Sequence, residues 1–175
     1  EIMAVIRKND VVKERPVIIV LYGTPGTGKT SLATTADSPL LIDTDRGFDR
    51  AVQRPDIVVT ASQWEDIYNE EIIGKYVIEN GVQVWKPGLI SECKTVVVDT
   101  AKAMLDDYLS NYAIKMDYKL EKNTLKRYGL MGDLFKQFVS ILRSNNSDII
   151  FICHDKENTD GDITKHSPDC TGQSK

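Results

Sequence analysis

Five runs of apolar residues recur along the chain, and each run ends in glycine or in a polar residue. The runs cover residues 16–23, 39–45, 56–62, 94–100 and 148–155. They are rich in valine and isoleucine and lack the alternation that marks a half-exposed strand. They therefore predict five strands that are buried on both faces of a parallel sheet.

Between these runs, apolar residues return at helical spacing. Residues 29–37 can form a short helix before Pro39, and Ser62 with Glu65 fits a capping box that opens a helix through residues 65–73. Two longer apolar stripes predict helices that face the core; they are Met104, Leu105, Tyr108, Leu109 and Tyr112, and Leu130, Leu134, Phe138 and Leu142. This alternation indicates an α/β fold of three layers, with helices on both faces of a mainly parallel central sheet.

Two turn signals predict hairpins outside that sheet. Asn80 and Gly81 stand between alternating apolar residues within 74–88, which is typical of a two-residue hairpin turn. The sequence TDGD at residues 159–162 is also typical of a hairpin turn. We expect both segments to form antiparallel pairs.

The composition is that of one soluble globular domain, so we expect a single domain over residues 1–175. Hydrophobic residues make up 41% of the chain and the formal net charge is −4, which excludes an overall basic field for nucleic acid. The three cysteines lack CxxC spacing, which predicts reduced thiols in a cytoplasmic protein. The sequence contains no long apolar span, so we expect no membrane role. Because the chain stops directly after a strand-like segment, we expect it to be a piece of a longer polypeptide.

A phosphate-binding loop follows the first apolar run. The sequence GTPGTGKT at residues 23–30 fits the pattern G-x-x-x-x-G-K-[ST] between a strand and a helix. Its backbone N–H groups would surround phosphate oxygens, Lys29 would span the β- and γ-phosphates of ATP, and the Thr30 hydroxyl would bind Mg²⁺. The expected nucleotide contacts are Gly23, Thr24, Pro25, Gly26, Thr27, Gly28, Lys29, Thr30 and Ser31.

A second magnesium contact is expected at Asp99. This acid ends the apolar run TVVVD, so a buried strand would deliver its carboxylate beside Thr30. Capping of the helix near Ala101 is the structural alternative. Many helicase-like and AAA+ ATPases place their general base directly after this aspartate, but Thr100 stands there, so the base must come from elsewhere in the chain.

The second run offers that base, and here the chain resembles the RecA-like recombinases. In that family a D-x-E pattern at the tip of the corresponding strand carries the base; in LLIDTD, Asp45 stands at the glutamate position. The side chain is one methylene shorter, which predicts slow turnover. In the resemblance His154 of FICHDKE occupies the position that senses the γ-phosphate. Asp45 could instead cap a helix or form an ion pair with Arg46 or Arg50. His154 could instead be a helix-capping or core residue with a structural role.

The four segments GTPGTGKTSLA, LLIDTDRGFDRA, TVVVDTAKAM and FICHDKE together look like the short RecA-like ATPases of phages and prophages, a group associated with single-strand annealing and recombination. The resemblance implies that the His154 strand lies between the phosphate-loop and Asp99 strands. It also implies a homo-oligomer in which a lysine or arginine of one subunit completes the site of the next, with Lys156, Lys165, Arg46 and Arg50 as candidates.

Single-stranded DNA is the partner that the same resemblance implies, and the sequence supports it unevenly. Residues 114–129 interleave five cations with Tyr118 and Tyr128, which could contact phosphates and bases. A solvated helix face explains that pattern equally well. Residues 155–166 hold four acids against two lysines, which argues against a second DNA-binding loop there.

Two other functions fit the phosphate loop. A small-molecule kinase would need an arginine-bearing lid, and no compact arginine cluster stands out. A nucleotide-gated assembly module with little hydrolysis fits the short Asp45 side chain. A GTPase has less support than the kinase, because neither [NT]-K-x-D nor D-x-x-G occurs where guanine and γ-phosphate would be bound.

Overall fold

The computed structural model describes residues 15–52, 55–160 and 163–169, and its centre is a mainly parallel six-stranded sheet. The strands in chain order are β1 (Ile18–Gly23), β2 (Pro39–Asp43), β3 (Ile57–Thr60), β4 (Gly74–Glu79), β5 (Val82–Pro87), β6 (Thr95–Asp99), β7 (Asp148–Asp160) and β8 (Ile163–Pro168). Across the sheet the order is β1-β7-β6-β2-β3, with β8 antiparallel to β7. The expected position of the His154 strand between the phosphate-loop and Asp99 strands is therefore confirmed.

The middle of the sheet is buried on both faces, as the apolar runs predict. Every residue of β2 and of β6 is buried. Alternate residues enter two separate cores, so that Ile42 and Val98 pack on one face while Leu41 and Val97 pack on the other. The continuous valine and isoleucine runs are what a strand covered on both faces requires.

Helices cover the two faces unequally. They are α1 (Lys29–Ala33), α2 (Trp64–Ile67), α3 (Glu70–Ile73), α4 (Ser110–Met116) and α5 (Thr124–Ser144), with a π-helical segment (Ala103–Leu109) leading into α4. Trp64, Met104 and Phe138 belong to the larger core on one face, whereas Ala33 of α1 packs into the smaller core on the other. The predicted α/β fold of three layers is confirmed.

Three details differ from the sequence expectations. β1 pairs only with β7 among the described residues, so it is an edge strand, and Ile18, Ile19 and Val20 are 43–46% exposed and not buried. The helix expected over residues 65–73 is two short helices, because the Asn69 side chain caps the start of α3. The capping box joins Gln63 to Asp66, one residue beyond the predicted pair.

Both predicted hairpins are confirmed. β4 and β5 pair antiparallel, and Asn80 and Gly81 between them adopt left-handed φ values of +52° and +78°. β7 continues past the sheet and pairs antiparallel with β8, with Asp160 opposite Ile163, while Gly161 and Asp162 of the predicted turn lie outside the described residues. Within the described part of the chain, no helix combines the length and the apolar character that a membrane crossing requires.

Candidate functional site

The loop between β1 and α1 has the conformation that the glycine spacing predicts. Gly26 and Gly28 have φ values of +79° and +83°, a region that residues with a side chain rarely adopt. A Cβ atom added at either position would meet no protein atom within 4 Å, so the space in front of the loop is open. The Lys29 ammonium lies inside the curl and donates to the carbonyls of Gly23 and Thr24 at 2.9 and 2.8 Å.

Thr30 and Asp99 lie 69 positions apart in the sequence, and the fold brings their side chains into contact. The Thr30 hydroxyl donates to Asp99 Oδ2 at 2.5 Å. Asp99 ends the fully buried strand β6 and is 6% exposed, and this burial raises the pKa of its carboxyl despite the opposing effects of Thr30, Lys29 and His154. A hydroxyl and a buried carboxylate that converge in this way are the hard oxygen ligands that Mg²⁺ prefers.

The two acids of the second run have different environments. Asp43 is 1% exposed, and its carboxylate accepts N–H groups from Gly47 at 3.1 Å and Phe48 at 3.2 Å, so it holds the loop after β2. Asp45 lies in that loop and is exposed. Its pKa is raised, first by partial burial and then by the charge of Asp99 and the hydrogen bond with Asp43. Within the described part of the chain it forms no ion pair with Arg46 or Arg50.

A hydrogen-bond network that the sequence reasoning missed joins the tips of β2 and β6. The Thr44 hydroxyl accepts the N–H of Thr100 at 2.7 Å and donates to the Thr100 carbonyl at 3.0 Å. The Tyr108 hydroxyl lies 2.8 Å from the Thr44 carbonyl and 3.0 Å from the Ala61 carbonyl. Because these partners are 47–64 residues apart in the sequence, no local sequence pattern could have predicted the network. It sets the spacing between the strand tips that carry Asp43 and Asp99.

His154 stands on β7 directly beside Gly23 of the phosphate loop. The side chain is half-buried, and its Nδ1 atom is buried without a hydrogen-bond partner among the described residues. Most buried side-chain nitrogens in proteins have a hydrogen-bond partner, so an unpartnered one next to the loop is unusual.

These side chains share one cavity of about 350 Å³. It contains nine of the predicted site residues: Pro25, Gly26, Gly28, Lys29, Thr30, Ser31, Asp45, Asp99 and His154. Gly23, Thr24 and Thr27 do not line it; Thr27 instead donates to the Thr24 carbonyl and closes the loop. Arg50, which the resemblance offered to a neighbouring subunit, lines the cavity of its own chain.

A larger cavity of about 700 Å³ lies elsewhere, beside the β4–β5 hairpin. Tyr76 and Trp85 form part of its lining, with their rings 4.8 Å apart, and no residue of the phosphate loop reaches it. Size alone would favour this cavity. The convergence of Lys29, Thr30 and Asp99 assigns the nucleotide chemistry to the smaller one.

The segment considered for DNA contact forms a helical corner between α4 and α5. Tyr118 is 75% exposed and Tyr128 is 46% exposed, so both rings are accessible. Lys115 is engaged in an ion pair with Glu65, with Nζ and Oε1 2.5 Å apart. The corner therefore presents two exposed rings and fewer available cations than the sequence suggested.

Comparison with known proteins gives one informative result. No curated protein and no solved structure matches the chain. A family model described as an AAA domain matches residues 15–174, which is most of the chain. Such a domain binds nucleotide at a phosphate loop, in agreement with the geometry described above. The protein therefore belongs to the AAA domain family of P-loop ATPases.

Proposed function

We propose that the protein is a Mg²⁺-dependent ATPase of the RecA-like class, built as a single P-loop domain that acts on single-stranded DNA in phage or prophage recombination or annealing. The observation that carries the enzymatic part is the convergence of Lys29, Thr30, Asp45, Asp99 and His154 on one cavity. These residues come from four separate segments of the chain, and each would offer a group that ATP hydrolysis needs.

Magnesium fits the acid side of this cavity. The carboxyl pKa values of Asp99 and Asp45 are both raised by burial, and Asp43 lies next to them, so the site gathers negative charge with Lys29 as the nearby cation. Thr30 and Asp99 would hold Mg²⁺. The ion would neutralise charge on the β- and γ-phosphates.

In the proposed hydrolysis, Asp45 acts as the general base. Its carboxylate accepts a proton from water, the water oxygen forms a bond to the γ-phosphorus, and the bond from phosphorus to the β–γ bridging oxygen breaks, so that ADP leaves with the electron pair. The raised pKa of Asp45 makes it a stronger base than an ordinary aspartate. His154 would contact the γ-phosphate; its position beside Gly23 and its unpartnered Nδ1 atom support this role.

The DNA role rests on the corner between α4 and α5. Lys119, Lys122 and Lys126 form no ion pair with any described residue, and they lie close in sequence to the exposed Tyr118 and Tyr128 rings. Exposed rings can stack on unpaired bases while lysines contact the backbone. This arrangement supports single-stranded nucleic acid as the partner.

The test is a steady-state ATPase measurement with and without Mg²⁺ and with and without single-stranded DNA. We expect hydrolysis only with Mg²⁺ and a higher rate with DNA. Replacing Tyr118 and Tyr128 by alanine should remove the stimulation and leave the basal rate, while Tyr76→Ala on the β4–β5 hairpin serves as the matched control. A rate that DNA does not change would reject the DNA role and leave the ATPase assignment intact.

A second candidate, the nucleotide-gated assembly module, is favoured by one observation. β1 carries the phosphate loop, and among the described residues its second edge has no partner strand and Ile18, Ile19 and Val20 are exposed, which favours pairing with another chain. A second copy of the protein is the proposed partner. Light scattering with and without ATP tests it: Ile19→Lys should abolish ATP-dependent assembly, and Leu125→Lys at another exposed position should not.

A further inference from the structure

A cluster of three ligand-type side chains lies on the β7–β8 hairpin, apart from the residues that line the nucleotide cavity. Asp155 and Glu157 alternate along β7 and so point to the same face. His166 of β8 lies directly opposite Glu157 in the antiparallel register. One ligand atom from each of the three side chains lies within 4.8 Å of the other two.

The environment of Asp155 is the second observation. Its side chain is only 8% exposed, and one oxygen, Oδ2, lies 2.5 Å from Nδ1 of His166. The other oxygen, Oδ1, is buried and has no hydrogen-bond partner among the described residues. A buried carboxylate oxygen without a partner is unfavourable, and the usual remedy is a hydrogen-bond donor or a cation.

We propose that Asp155, Glu157 and His166 form a binding site for a divalent transition metal ion. One imidazole with two carboxylates is a ligand set for Zn²⁺, Co²⁺ or Mn²⁺, whereas Mg²⁺ and Ca²⁺ are bound almost entirely by oxygen. The three protein ligands leave the remaining coordination positions to water. The ion would join β7 to β8 across the hairpin that starts one residue after His154.

The proposal does not depend on ATP hydrolysis, and metal binding measures it directly. The protein is first stripped with a chelator and then titrated with Zn²⁺ and, separately, with Co²⁺, whose visible absorption reports its coordination. We expect Glu157→Gln and His166→Asn each to weaken this site at least about tenfold and to abolish the matching cobalt spectrum. Lys165→Gln, at the neighbouring position on β8 whose side chain points to the opposite face, is the matched control and should bind as the unaltered protein does.

The unaltered protein and all variants contain the same nucleotide-site acids and the same thiols. Metal binding at those groups is therefore equal in all samples and does not affect the difference between them. Circular dichroism checks that each variant is folded; both altered side chains are exposed, so folding should survive. Equal affinity and equal cobalt spectra in the unaltered protein and both variants would overturn the proposal. So would a complete lack of Zn²⁺ and Co²⁺ binding, which would leave Asp155 and His166 as a simple ion pair.

Discussion

The nucleotide site has an acid side and a phosphate side, and the strands that carry these two sides differ in burial. The acid side is delivered by β2 and β6, whose residues are all buried. The phosphate side is delivered by β1, which among the described residues lies at the edge of the sheet and is 43–46% exposed from Ile18 to Val20. The loop after β1 is held mainly by itself, through Lys29 and the carbonyls of Gly23 and Thr24.

The difference agrees with the tasks that the proposed function gives to each side. Carboxylates that hold a metal ion and a water molecule must be kept close together against their mutual repulsion, which requires a rigid, well-packed base. A loop of backbone N–H groups must instead admit and release a nucleotide, and local hydrogen bonds suffice for that. The comparison therefore predicts distinct results for changes on the two sides.

The largest expected effect belongs to the acid side. Asp45→Asn should keep ATP binding and lower kcat by a factor of about 10² to 10⁴, because the amide cannot accept the proton of water. Nucleotide affinity and turnover are measured separately, with Asp49→Asn in the same loop as the control. Retention of full turnover would remove Asp45 as the base.

On the phosphate side, Lys29→Ala should reduce both nucleotide affinity and turnover, the latter by about 10² to 10³, because the ammonium contacts the phosphates in the ground state and in the transition state. The same binding and rate assays apply, with Lys126→Ala as the control. A variant that lost turnover but bound ATP normally would contradict the division of labour between the two sides.

The packing contrast can be measured on two isoleucines. Ile42→Ala in β2 should lower the free energy of unfolding by about 2–5 kcal/mol, whereas Ile19→Ala in β1 should cost less than about 1 kcal/mol. Urea denaturation of both variants gives the comparison. Equal losses would indicate that another surface covers β1 in solution.

The network between the strand tips allows a finer test. Thr44→Val keeps the shape of the side chain but leaves the buried N–H of Thr100 without its acceptor, which should cost about 1–3 kcal/mol of stability and lower the ATPase rate. Thr60→Val at an exposed position of β3 is the matched control. A Thr44 variant as stable and as active as the control would show that the network does not position the acids.

The smallest effect concerns the pH dependence of stability. The pKa of Asp99 in the folded protein is raised above its unfolded value of 3.8, chiefly by burial, so the metal-free protein loses stability as the pH rises from the unfolded pKa to the folded pKa, and the loss is complete above the folded pKa. Asp99→Asn should therefore be more stable than the unaltered protein at pH 7 without Mg²⁺, and this advantage should shrink as the pH is lowered toward 4. Urea titrations in a chelator, with Asp133→Asn as the control, measure it.

Sequence patterns by themselves determined the fold class, the phosphate loop over residues 23–30 and the expectation that Thr30 and Asp99 would meet. Those features depend on short-range chemistry: glycines that permit left-handed backbone, and valine-rich and isoleucine-rich apolar runs that favour strands. The same patterns selected seven of the residues that line the nucleotide cavity, and the resemblance to RecA-like recombinases added Asp45 and His154.

Tertiary structure alone decided how those residues are supported. The bonds among Thr44, Thr100 and Tyr108 join residues 56 and 64 positions apart, and the lining role of Arg50 depends on where its loop packs. The apolar run of β1 looks as buried as that of β6, yet it lies at an edge. Burial is a property of a residue's neighbours in space, and local sequence carries no information about which strand will stand at the end of the sheet.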